Sequence, residues 1–327
     1  MRRVPLILLL AALIFSSGPL RAMGQSAAAP GHSSAEPQLV ILDTDIGDDI
    51  DDAFALALAL KSPELKILGV TTTFGNTELR GRLVDRYLKA VGRSDIPVFA
   101  GPMTTTDSPM TQAAYAMRAA DRKFGDGAEF ILREAREHPG QITLIGIGPL
   151  VTVQAAIEHD PVTFRKLKRV VIMGGSIERG YGTDAQGKPN PPQPEWNIRC
   201  DPAGAKALLA SGVPVFMMPL DSTQVPLEAE MRETIFAHGS SLTDQLTLLY
   251  HQWMGGSAGH STTPTLFDPV AVTYTFRPDL CPAKAMHIDV DDKGLTSAGP
   301  GTPNAQVCLQ SDEKRFLDLL LSRVVGE

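Results

Sequence analysis

Six of the ten residues from Asp43 to Asp52 are aspartates, in the run DTDIGDDIDD. Apolar sequence flanks them, QLVIL before and AFALALAL after. Carboxylates packed this closely repel one another, so they need a cation, a proton or bulk water between them. A hard divalent ion meets that need, and Ca²⁺ best of all, because it accepts six to eight oxygen ligands in irregular geometry. The positive end of a helix starting near Asp51 would also help to hold negative charge. Helix capping accounts for one or two of the aspartates but not for six. An EF-hand fails on position: Gly47 stands where the third ligand belongs, Asp48 replaces the required glycine, and Phe54 replaces the final glutamate. A DxD-type phosphatase would use a strand-end aspartate as nucleophile. DTD permits that, but no matching later lysine and acidic partners stand at strand ends.

The elements that must position these residues read as alternating strands and helices. QLVILDT is a buried strand and DDAFALALALKS a helix apolar on most sides, hence buried. KILGVTTTFGN is a second strand, and ELRGRLVDRYLKAVG an amphipathic helix with a glycine stop. ITLIGIGPL and LKRVVIMGG are strands separated by the helical VTVQAAIEHD. DPAGAKALLASG is a helix, VPVFMMPLD a strand, and FDPVAVTYTF and EKRFLDLLLSRVV are helices. This alternation predicts an α/β fold: a single domain over 38–327, with a mostly parallel open sheet of Rossmann-like type and helices on both faces. In such sheets ligands bind beyond the carboxyl ends of the strands. Asp43, Asp45, Asn76, residues 148–151, the loop after Met173 and Asp221 all fall at such ends, and Asp268 opens a late helix. The Gly/Pro-rich stretch from Ser176 to Asn197 is long enough to be a functional loop.

Composition bounds the rest. A formal charge of -7 over 327 residues argues against a nucleic-acid partner, which needs a basic face. Arg2 and Arg3, the apolar run from Val4 to Phe15 and the small-residue site at Ala22 read as a secretory signal over 1–22. The run is short for a membrane span, so export without a membrane anchor is expected, to periplasm or medium. Cleavage would remove Arg2, Arg3 and Arg21 and take the charge from -7 to -10. Residues 23–37 read as a disordered leader. Cys200, Cys281 and Cys308 leave two options open, one disulfide in an exported chain or three buried small hydrophobes.

The motifs taken together resemble the nucleoside hydrolases of the inosine–uridine-preferring type. That family's signature is a strand followed by DxDxGxDDA and a helix. DTDIGDDIDDAFAL is similar to it, with two extra residues between the glycine and DDA. FGN (Phe74–Asn76), GPL (Gly148–Leu150), VIMGG (Val171–Gly175), PEWNIRCDPAGA (Pro194–Ala205) and FDP (Phe267–Pro269) match further family stretches in order.

The resemblance implies hydrolysis of the N-glycosidic bond of ribonucleosides to ribose and free base, with one Ca²⁺. It implies Asp45 as calcium ligand and general base, and Asp268 as the last carboxylate ligand. Two inserted residues leave Asp49, Asp51 and Asp52 all as candidate ligands. Val151 stands where the family uses a threonine carbonyl as ligand, and Thr152 replaces an asparagine. Glu195 and Asn197 match the ribose-holding residues; Asn190 is a further candidate, and Asn76 and Met173 would line the sugar pocket. Phe267 stands where many relatives carry a histidine near the departing base. Phenylalanine can stack but cannot donate a proton, and nearby Tyr250, His251, Trp253 and His260 are candidates for acid or stacking roles. The resemblance also implies a homo-oligomer, dimer or tetramer. The competing reading is an exported ribose- or nucleoside-binding protein without catalysis on the same scaffold.

Overall fold

The computed structural model describes residues 36–256 and 262–326. The signal segment, nearly all of the expected leader, and His260 lie outside the described residues. Among the described residues ten strands form one sheet: β1 (Gln38–Thr44), β2 (Leu65–Thr72), β3 (Val98–Ala100), β4 (Gly125–Asp126), β5 (Thr143–Gly146), β6 (Arg169–Met173), β7 (Val215–Met218), β8 (Ala283–Val290), β9 (Thr296–Gly299) and β10 (Ala305–Cys308). Their order is β4-β3-β2-β1-β5-β6-β7-β10-β8-β9. All pairs from β4 to β10 are parallel; β8 runs antiparallel to β10, and β9 to β8.

The chain builds outward from β1 through β2, β3 and β4, then returns to add β5 on the other side of β1. That reversal makes the β1/β5 junction the topological switch point, where open α/β sheets leave a crevice. Side chains alternate across a strand. Val40 and Leu42 join one apolar cluster and Ile41 the other, so β1 is buried on both faces. The helix Asp51–Leu60 follows β1 and is buried from Asp51 through Ala59, as its nearly all-apolar sequence requires. It packs against the helix Phe267–Phe276. The amino ends of both helices therefore arrive together beside the end of β1.

Several strands stop earlier than their apolar runs suggest. β2 ends at Thr72, and Phe74 and Gly75 then turn the chain with positive φ of 60° and 65°. Only a few per cent of non-glycine residues adopt that conformation. β5 ends at Gly146, freeing residues 147–150 as a loop. The antiparallel β8–β10 segment has no counterpart in the sequence reading. β8 lies beside the edge strand β9 and alternates poorly between buried and exposed positions, so it carries no clean period-two signal. Cys281 and Cys308 form a disulfide there, which settles the cysteine question for two of the three; Cys200 is free and half-buried.

Candidate active site

A cavity of about 530 Å³ opens at the carboxyl ends of β1, β5 and β6. Asp45, Asp48, Asp49, Asp51, Asp52 and Asp268 line it, together with Ile147, Met173, Glu195, Asn197 and the rings of Tyr181, Trp196, Trp253 and Phe267. Of the residues expected at strand ends, Asp45, Met173 and Asp268 line this cavity; Asp43, Asn76, residues 148–151 and Asp221 do not.

Asp45, Asp51, Asp52 and Asp268 are each at most 6% exposed, whereas Asp49 is exposed. One carboxylate oxygen from each of Asp51, Asp52 and Asp268 lies within 4.8 Å of the others. Asp51 and Asp52 form the first turn of their helix and Asp268 that of the partner helix, so both helix dipoles favour charge at this point. The Asp268 backbone N–H donates to Asp51 Oδ2 at 3.3 Å, and the Thr44 hydroxyl donates to Asp52 Oδ1. Burial, and after it the neighbouring aspartates, push the proton affinities of Asp51, Asp52 and Asp268 well above the usual carboxylate range. Burial likewise pushes Asp45 up to about 7, against the pull of the Arg80 guanidinium. Gly148 makes room for Asp45: a Cβ there would lie 2.6 Å from Asp45 Oδ1. Hard oxygen donors that raise one another's proton affinity fit a divalent cation, which would relieve their repulsion.

The opposite wall is built by Glu195, which is 1% exposed and caps the short helix Trp196–Cys200. Its Oε1 accepts from the Asn197 backbone N–H (2.9 Å), and its Oε2 from those of Gly175 (3.0 Å) and Ile198 (3.1 Å). The Tyr181 hydroxyl stands beside it and accepts from the Trp196 N–H at 2.9 Å. An ionised carboxylate offers about four acceptor positions, and three backbone N–H groups occupy most of them. The Asn197 amide donates to the Met173 carbonyl at 3.1 Å, which anchors Asn197 on the end of β6.

Phe267 meets Tyr181 edge to face, with ring centroids 6.0 Å apart. Trp253 is buried against the cavity. Tyr250 is buried with its hydroxyl donating to the Thr262 carbonyl, and His251 is exposed; neither lines the cavity.

Three expected residues are placed elsewhere. Asn76 is exposed, and its side-chain oxygen caps the helix Thr77–Ala90 by accepting from the Leu79 N–H at 3.0 Å. Asn190 donates to the Tyr181 carbonyl at 2.8 Å, so it holds the loop that carries Tyr181 rather than facing the cavity. Val151 begins the helix Val151–His159, half-buried and outside the cavity lining. Asp221 accepts from the Ile177 and Glu178 N–H groups and fixes the root of the same loop. Tyr181, Trp196 and Arg80 went unassigned from sequence. The first two sit in the long Gly/Pro-rich loop from Ser176 to Asn197. Arg80 gave no signal, being one basic residue of an ordinary amphipathic helix.

The chain matches the family model for inosine-uridine preferring nucleoside hydrolases over residues 40–318. It is 29% identical over 318 residues to the pyrimidine-specific ribonucleoside hydrolase RihA of Citrobacter koseri, covering 87% of this chain and 97% of that protein. Among solved structures it is similar to the plant nucleoside hydrolase PpNRh1 (26% identity, TM-score 0.77, 89% of this chain and 100% of the other). It is also similar to a purine-preferring ribonucleoside hydrolase from Gardnerella vaginalis (25% identity, TM-score 0.75, 88% and 98%). With a parallel sheet, a switch-point cavity and clustered carboxylates that agree with these matches, the chain belongs to the inosine-uridine preferring nucleoside hydrolase family, hydrolases that act on N-glycosyl compounds.

Proposed function

We propose that the protein hydrolyses the N-glycosidic bond of ribonucleosides to ribose and free base, with Asp45 as general base and Ca²⁺ held by Asp45, Asp51, Asp52 and Asp268. One observation carries the reading: the buried carboxylate cluster shares a single cavity with Glu195, Asn197 and a set of aromatic rings. When bound, the ion would supply acidity to the attacking water and a fixed template for the ribose hydroxyls. Asp45 receives the water's proton. Glu195 and Asn197 line the cavity on the side where they would face the ribose. The anionic lining favours the positive charge that develops on the sugar as the bond breaks. No second carboxylate is needed as nucleophile, so water attacks the anomeric carbon directly.

Tyr181, Trp253 and Phe267 offer stacking faces for the base. Those faces suit purines and pyrimidines alike, and the relatives' own descriptions differ on this point, one pyrimidine-specific and one purine-preferring. The Cys281–Cys308 disulfide supports an oxidising location, in keeping with export. No described helix is long and apolar enough to cross a membrane.

The test is a reducing-sugar assay over purine, pyrimidine and modified nucleosides, with and without chelator. Ribose release that chelation abolishes and Ca²⁺ restores is the expected result. Binding of nucleoside without turnover would move the protein to the non-catalytic reading.

A further inference from the structure

The lengthened stretch between Gly47 and Asp51 is held by a buried cation. Asp48 forms a two-pronged ion pair with Arg80, Oδ1 to Nη1 and Oδ2 to Nη2, both at 2.9 Å. Arg80 is 2% exposed and among the largest fully buried side chains. Its Nη1 also donates to the backbone carbonyls of Asp45 and Ile46, and its Nε to that of Phe74 at 2.8 Å. One rigid fork therefore grips the loop after β1 at three residues and the strained turn after β2 at a fourth. The inserted backbone is held from its other side: Thr111 Oγ1 donates to the Asp48 carbonyl at 2.7 Å, and Gln112 Nε2 to the Asp49 carbonyl at 2.6 Å.

We propose that Arg80, locked by Asp48, is a positioning residue that fixes the aim of the Asp45 carboxylate and the spacing of Asp45 from Asp51 and Asp52. Arg80 does not itself line the cavity; it acts through the Asp48 carboxylate and the main chain of Asp45 and Ile46. The inference rests on the calcium-dependent reading above.

The chain has two tryptophans, Trp196 and Trp253, and both line the cavity, so fluorescence excited selectively at tryptophan reports on this site. Wild type, Arg80→Lys and Asp48→Asn are titrated with Ca²⁺ by fluorescence and assayed at saturating Ca²⁺. Lysine keeps the charge but cannot serve four acceptor groups as a planar fork. Arg80→Lys is expected to weaken Ca²⁺ half-saturation by about tenfold and to lower kcat by about thirtyfold, with KM within about twofold. Asp48→Asn, on a side chain 14% exposed, keeps the fold and is expected to show the same pattern at about a third of the size. The double variant is expected to be no worse than Arg80→Lys alone. A lower melting temperature with unchanged kcat and unchanged Ca²⁺ half-saturation in both variants overturns the proposal and leaves Arg80 a structural residue. Failure of wild type to bind Ca²⁺ would instead sink the metal reading, so the two failures are distinguishable.

Discussion

At the carboxyl end of β1, four buried carboxylates face one another; beside β10, Cys281 is bonded to Cys308 and both are buried. The first arrangement raises the free energy of the folded chain, because each carboxylate is desolvated beside like charges. The second lowers it, because a cross-link over 27 residues removes freedom from the unfolded chain. One region is organised for chemistry at the expense of stability, the other for stability with no chemistry. Substitutions in the two should therefore move different observables.

The largest separation is expected at Asp45. Asp45→Ala should lower kcat/KM by about 10³-fold, about 4 kcal/mol of transition-state stabilisation. Its melting temperature should hold or rise, since a buried carboxylate is removed. Steady-state kinetics beside thermal unfolding decides it, and retention of more than a tenth of the activity would remove Asp45 from the role of base. The mirror experiment is Cys281→Ala with Cys308→Ala. Loop-closure entropy predicts a loss of about 3–4 kcal/mol in urea unfolding, while kcat at a temperature where the variant is folded stays at the wild-type value. A fall in kcat with it would show that the corner and the site are coupled.

Acidity separates the regions more weakly. In metal-free protein Asp45 has a folded pKa of about 7 against an unfolded value of 3.8. Between those values the folded state keeps a proton that the unfolded state has lost, so stability falls as pH rises through this window. Metal-free protein should thus unfold at higher urea at pH 5.5 than at pH 7.5, by roughly 2 kcal/mol for this one group. Saturating Ca²⁺ at pH 7.5 should erase the difference. The disulfide corner has no titrating thiol and adds nothing to the slope. A flat profile in chelator would mean that Asp45 is already ionised without the ion.

The same two regions show what was legible in the sequence. β1 and the helix Asp51–Leu60 are buried on every side, so their composition alone announces them, and the aspartates stand out against it. Asp268 could be placed because a helix start after a loop has a fixed location in this topology. The disulfide corner was opaque because an edge hairpin follows no strict alternation, and pairing of cysteines 27 residues apart is set by tertiary contact. Asn76 misled for a local reason: an asparagine at a strand end is equally a helix cap, and here its oxygen is committed to Leu79. The Arg80 fork joins residues up to 35 positions apart, and no pattern along the chain encodes it.

Phe267 gives the smallest and most specific prediction. It opens the helix that delivers Asp268, packs edge-on against Tyr181 and lines the cavity, yet it has no proton to give. A departing purine or pyrimidine anion is stabilised by protonation, and a histidine with pKa near 6.5 is suited to supply it near neutral pH. Phe267→His should raise kcat for neutral nucleosides by about tenfold, about 1.4 kcal/mol, and add a limb to the pH–rate profile that falls above about pH 6.5. Phe267→Leu, which removes the ring without adding an acid, should raise KM with little change in kcat. The pair divides stacking from acid catalysis at one position. If Phe267→His behaves as Phe267→Leu does, this position meets the base only through its face, and the proton for the leaving group reaches it from elsewhere in the cavity or from solvent.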